Sequence, residues 1–245
     1  MKGAIVNPPQ RLFNHFFDYF FLLFPMLFYD CFRRPPVLVL PVGLCYDDRS
    51  ILKWRIRVMA ESKVKTSSKF KTADIILVGM FAAVLGILSQ IQVPSPTGVP
   101  MTMQTFGVAL MGVFLGRKKG MLSMLIYVLL GCVGVPVFAG LSGGPQALVS
   151  FSGGFIWGFF VLTLCCAMGE TRKNYGFKMA LGILGIAACH ILGIIQFMIL
   201  TSSGFAEAFL LVSAPYLIKD VLSVLLAYII GGILRKRLMK AGLLD

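Results

Sequence analysis

The 245 residues are 58% hydrophobic and only 13% charged, with a mean hydropathy of +0.86. Soluble domains are about a quarter charged, so this composition excludes a soluble domain and points to an integral membrane protein. The net charge of +13 suggests nucleic acid, but the basic residues gather in short loops and tails, which is a membrane-topology signal.

Residues 1–58 hold six of the 12 prolines, only two of the 26 glycines (Gly3 and Gly43) and eight of the 21 phenylalanines. The apolar run Phe16–Tyr29 is interrupted by Asp18 and Pro25, and Pro35-Pro36 and Pro41 forbid a continuing helix. This stretch reads as a dispensable N-terminal extension ahead of a start at Met59; the alternative is an amphipathic or hairpin anchor. Residues 59–73 read as a basic cytoplasmic segment.

From there the apolar runs predict six spans, about Asp74–Val93, Met101–Leu115, Met121–Phe138, Ser150–Met168, Phe177–Leu200 and Pro215–Leu234. Their lengths suit helices crossing a hydrocarbon core of roughly 30 Å, and they lack the period-two alternation of a barrel. Lys63, Lys65, Lys69 and Lys71 precede the first span. Arg117–Lys119 follow the second; Arg172, Lys173 and Lys178 follow the fourth; Arg235, Lys236, Arg237 and Lys240 follow the sixth. All fall on one side, so both termini are expected inside. The expected fold is an all-α integral membrane protein, a six-transmembrane-helix bundle with N-in/C-in topology. Residues 74–234 form the membrane domain and 235–245 a basic cytoplasmic tail.

That topology sends two kinked polar segments, Gln92–Phe106 and Gly134–Pro145, to the outer face with the loop Thr201–Ala214. Lys219 and Asp220, at the outer start of the sixth span, join them. Thr102, Gln104 and Thr105 open an apolar run, where hydrogen-bonding side chains are costly unless they meet a partner. The arrangement describes an outward-facing pocket for a polar ligand.

Chemistry that would make an enzyme is missing. There is no G-x-x-x-x-G-K-[ST], no H-E-x-x-H and no G-x-S-x-G. Cys31, Cys45, Cys132, Cys165, Cys166 and Cys189 form no C-x-x-C pair and read as packing residues; His15 and His190 are too sparse for a metal motif. No metal, cofactor, catalytic residue or nucleic-acid partner is expected. Small residues recur four apart at Gly79/Ala83, Ala82/Gly86, Gly112/Gly116 and Gly154/Gly158, a spacing that lets helices approach closely.

Three segments carry a resemblance: Val99-Pro-Met-Thr-Met-Gln-Thr-Phe106, Tyr127-Val-Leu-Leu-Gly-Cys-Val-Gly-Val-Pro-Val-Phe-Ala-Gly140 and Ser152-Gly-Gly-Phe-Ile-Trp-Gly158. In order and spacing the chain from about Thr72 to Leu234 resembles BioY, the biotin-binding S component of energy-coupling factor (ECF) transporters. The resemblance implies a carrier in a bacterial-type plasma membrane that captures biotin outside. A transmembrane coupling subunit and two ATPase subunits would drive its delivery inward. It implies that Gly79, Ala82, Ala83 and Gly86 of the first span face the coupling subunit. The competing readings are an S component for another vitamin and a stand-alone secondary transporter.

Biotin offers two ureido N–H donors, one ureido carbonyl, an apolar sulfur ring and a carboxylate, and a buried site must satisfy each polar atom. On this reading Asp220 takes the ureido donors, while Gln104, Thr102 and Tyr127 meet the carbonyl. Phe106, Phe138 and Phe155 line the apolar part. The carboxylate has Lys219, or the backbone N–H groups around Ser142, Gly143 and Gly144. Plainer roles exist: Gln104 capping the second span, Tyr127 anchoring at the interface, and Lys219 snorkelling to headgroups. The family pattern has a basic residue where Leu141-Ser142 stands, and a lysine three residues from the acid of the sixth span. Adjacent helical residues point about 100° apart, so Lys219 and Asp220 are expected on different faces.

Overall fold

In lipid every backbone polar group must be satisfied internally, and the described residues do so almost wholly with helices. The computed structural model describes residues 71–95 and 97–240; the expectations for 1–58, most of 59–73 and the last five residues lie outside the described residues. Helix α1, Thr72–Gln90, leads to a two-residue strand β1, Gln92–Val93, paired antiparallel with β2, Met101–Thr102, in the register Gln92↔Thr102 and Val93↔Met101. The first kinked segment is therefore a small hairpin, and the first helix stops at Gln90 rather than Val93 because the chain turns extended at Ile91.

Helix α2, Gln104–Cys132, is broken at Gly116, where φ is +73° and ψ −174°, a conformation open essentially to glycine alone. The break separates the second and third predicted spans. Gly116 is thus a turn residue and not the packing partner of Gly112 that the spacing suggested. The second kinked segment carries short 3-10 turns at Ala139–Leu141 and Pro145–Val149. Then come α3 (Gly153–Glu170), α4 (Tyr175–Thr201, N-capped by Asn174), a short α5 (Phe205–Val212) and α6 (Ala214–Lys240). The expected loop Thr201–Ala214 holds α5: Ala208 and Val212 are buried on one of its sides, which gives an eight-residue helix a reason to form.

Four of these helices, α1, α3, α4 and α6, are long and apolar enough to cross a membrane. The core forms around Tyr127, Phe138, Leu85, Met111, Met124 and Leu162, all essentially inaccessible. Helix α3 packs against both α2 and α4. It approaches α4 closely at Gly154 and Gly158, where an added Cβ would run into the backbone of Leu192 and Cys189. Helix α1 is two-faced. Val78, Phe81, Ala82, Leu85 and Gly86 are buried, while Ile75, Ile76, Met80 and Ile87 are exposed alongside Gly79 and Ala83. This corrects the expectation for Ala82 and Gly86: they pack inside the chain, with Gly86 close to Val137, and are not open to a second protein.

Three basic side chains are tied down away from the hairpin. Lys119 lies 2.5 Å from Asp74, Lys178 is 2.8 Å from Glu170, and Arg235 donates to the Val113 carbonyl at 3.4 Å.

Candidate functional site

The two kinked segments, the start of α3, the middle of α4 and the start of α6 line a cavity of about 630 Å³, its open mouth included. The hairpin and α2 supply Val99, Pro100, Thr102, Gln104 and Thr105; the second loop supplies Phe138, Ala139 and Ser142. Ser152, just ahead of α3, and Phe155, Ile156 and Phe159 within it join Cys189 from α4 and Tyr216, Lys219 and Asp220 from α6. Apolar walls thus surround a few convergent polar groups, one acid and one base among them.

Each polar group is held by named partners. Thr102 Oγ1 donates to Gln104 Oε1 at 2.9 Å, and Gln104 Nε2 donates to Tyr127 Oη at 2.8 Å. Tyr127 Oη in turn donates to the Val137 carbonyl at 3.0 Å. Three of the residues singled out in the sequence therefore form one network. Its parts are not alike: Thr102 and Gln104 line the cavity, while Tyr127 stands behind Gln104. Tyr127 is wholly buried and so is no interfacial anchor.

Lys219 does not snorkel. Its Nζ donates to the Thr102 carbonyl at 2.8 Å and lies 2.5 Å from Asp220 Oδ1. Adjacent residues leave a helix about 100° apart, yet the two side chains meet because the four-carbon stem of lysine swings back across that angle. The contact is ionic but poorly aligned: Asp220 Oδ1 remains a buried acceptor with no well-directed hydrogen bond. Asp220 itself is 5% exposed, a carboxylate that would be expensive to bury without its partners.

Phe138 and Phe155 line the cavity as expected; Phe106 instead packs against the core. Gly143 and Gly144 are not in the wall. The Gly144 N–H is committed to the Gly131 carbonyl at 2.7 Å, and Gly143 sits against the backbone of Gly134 and Val135. These glycines shape the loop, and the Gly144 N–H is not free for a carboxylate; Ser142 is the residue of that segment at the cavity.

The sequence reading missed several supporting groups. Gln90 Nε2 donates to the Phe138 carbonyl at 3.0 Å, and its Oε1 accepts from the Leu141 N–H at 2.9 Å. Gln196 Nε2 donates to the carbonyls of Leu148 and Ser150 at 2.9 and 2.6 Å. Tyr216 Oη donates to the Val99 carbonyl at 2.6 Å. His190 touches Asp220 at 2.9 Å. The available signal was the same in each case: a hydrogen-bonding side chain inside an apolar run needs a partner. Among the described residues no cluster of His, Cys, Asp or Glu could hold a metal ion.

Comparison with known proteins bears on this geometry. A probable biotin transporter BioY of Pyrococcus horikoshii is 35% identical over 161 residues, covering 66% of this chain and 95% of that protein. The biotin transporter BioY of Thermotoga maritima is 37% identical over 125 residues, 49% of this chain and 72% of its own. In structure, the chain is similar to the crystal structure of the S component for biotin from an ECF-type ABC transporter, with a TM-score of 0.61 and 22% identity. The match covers 70% of this chain and 95% of that one, and supports a shared fold. The model of the BioY family matches residues 61–240, a stretch holding every helix described above, and the chain belongs to the BioY family.

Proposed function

We propose that this protein is the substrate-capture component of an ECF-type transporter for biotin. It is a transport protein and not an enzyme. Family membership and the relatives named as biotin transporters support the reading. The observation that carries it at the site is Asp220, a buried carboxylate lining a mostly apolar cavity beneath two loops. Asp220 accepts from the ureido ring, Thr102 and Gln104 face its carbonyl, Phe138 and Phe155 flank the sulfur ring, and Lys219 offers the site's cation.

The finer architecture is part of the proposal. Six spans, counting α2 as two, cross a bacterial-type plasma membrane with both termini inside, as the basic loops favour. The exposed Gly79/Ala83 face of α1 meets a coupling subunit that carries two ATPase subunits. Residues 1–58 are dispensable, and a chain begun at Met59 should retain biotin uptake; the family match from residue 61 supports this.

The decisive experiment is a biotin titration of the purified protein and of its Asp220→Asn variant, with thiamine and riboflavin as competitors. Biotin should bind, neither competitor should displace it, and the variant should weaken binding by about tenfold or more, the scale of a lost charge-assisted hydrogen bond. Tight binding of another vitamin in place of biotin would reject the reading.

A further inference from the structure

A histidine buried beside Asp220 is left unused by the roles above. His190, on α4, is 4% exposed. Its Nε2 is 2.9 Å from Asp220 Oδ2, and its Nδ1 is 2.9 Å from Ser213 Oγ. Phe155, a wall of the cavity, packs perpendicular to the imidazole at 5.7 Å between ring centres. Ser213 is itself fixed at the joint between α5 and α6: its N–H goes to the Phe209 carbonyl, and its own carbonyl accepts from Tyr216 and Leu217. The two ring nitrogens thus have separate duties. Asp220 as a carboxylate only accepts, so the ring proton facing it sits on Nε2, and Nδ1 meets the Ser213 hydroxyl.

A carboxylate gripped through one oxygen can no longer rotate about its terminal bond. Oδ2 is spent on His190. Oδ1, fully buried beside Lys219 and without a well-aligned donor, keeps acceptor capacity that a ligand reaches only when Lys219 Nζ moves off it. We infer that His190 is a positioning residue for substrate capture. By occupying Asp220 Oδ2 and holding the carboxylate plane, it leaves Oδ1 to take one N–H of the ureido ring. This refines the expectation that Asp220 receives both ureido donors: one oxygen is already filled, so the second N–H has a different acceptor. The inference rests on the biotin reading.

Side-chain geometry supplies a test that separates positioning from plain packing. The amide nitrogen of glutamine can stand where Nε2 does, whereas that of asparagine reaches only the place of Nδ1. Biotin affinity would be measured for His190→Gln, His190→Asn and His190→Phe, each with its detergent-solubilised melting temperature and each also in an Asp220→Asn background. His190→Gln should stay within about threefold of the unmodified protein. His190→Asn and His190→Phe should lose about ten- to a hundredfold, the range for a hydrogen bond to a charged group. In the Asp220→Asn background the His190 changes should cost little more, since the group they position is altered.

Several results would overturn the inference: His190→Asn retaining affinity while His190→Gln loses it, all three variants falling equally, or none falling. A neutral effect of Asp220→Asn would also overturn it. In that case intact biotin binding by the unmodified protein would leave the functional reading standing, whereas failure of that protein to bind biotin would count against the functional reading itself.

Discussion

Asp220 is the residue on which most of the local chemistry converges, and its neighbours explain how an acid survives among helices. His190 meets one oxygen and Lys219 lies beside the other, and Lys219 is anchored in turn by the Thr102 carbonyl. Unpaired, such a carboxylate would cost several kcal/mol. A parallel case is Tyr127, whose hydroxyl both accepts from Gln104 and donates to Val137. Replacing it with phenylalanine leaves the buried Gln104 amide donor without its partner, while the Val137 carbonyl keeps Ser89 Oγ at 2.6 Å. Tyr127→Phe should therefore cost about 1–3 kcal/mol of stability, read as a lower melting temperature, and should weaken biotin binding through Gln104. Asp220, Gln104, Thr102 and Lys219 were legible in the sequence because polar groups in apolar surroundings demand an explanation. His190 was not, because a single histidine in a helix gives no hint of which side chain lies thirty residues further along the chain and beside it in space.

Among the elements, α1 shows where sequence periodicity runs out. Gly79/Ala83 and Ala82/Gly86 have the same spacing, and the helix is apolar all round, so no polar stripe marks its outer face. Only packing tells them apart: the first pair is exposed and the second is buried. Two substitutions should separate accordingly. Gly79→Leu should leave biotin binding intact while abolishing co-purification with the coupling subunit. Ala82→Leu should overpack the core by about 1–3 kcal/mol and lower the yield of folded carrier before any partner is added. At Gly116 the positive φ makes Gly116→Ala costly by about 1–3 kcal/mol even though the space beside it is open, and a melting curve would show it. Helix α5 escaped the sequence reading because eight residues between two longer helices carry too little periodicity to stand out. The hairpin escaped because two-residue strands have none.

At the scale of the molecule, the order of the long helices and the meeting of the two kinked segments with Lys219 and Asp220 were legible from hydropathy and the run of basic residues. The topology they favour makes a direct prediction. In a cysteine-free background, a cysteine placed at the exposed Leu141 should react with an impermeant maleimide from outside intact cells. One at Lys173 should react only after permeabilisation. The reverse pattern would invert the orientation. Helix α6 joins both regions. Its 27 residues run about 40 Å, longer than the roughly 30 Å hydrocarbon core. Near its start Tyr216 and Lys219 grip the carbonyls of Val99 and Thr102, and near its far end Arg235 reaches the Val113 carbonyl just ahead of the Gly116 break. A rigid rod fastened at both ends cannot tilt at one alone: any lean of α6 at its basic end must either carry the hairpin with it or tear two hydrogen bonds from the roof over the cavity.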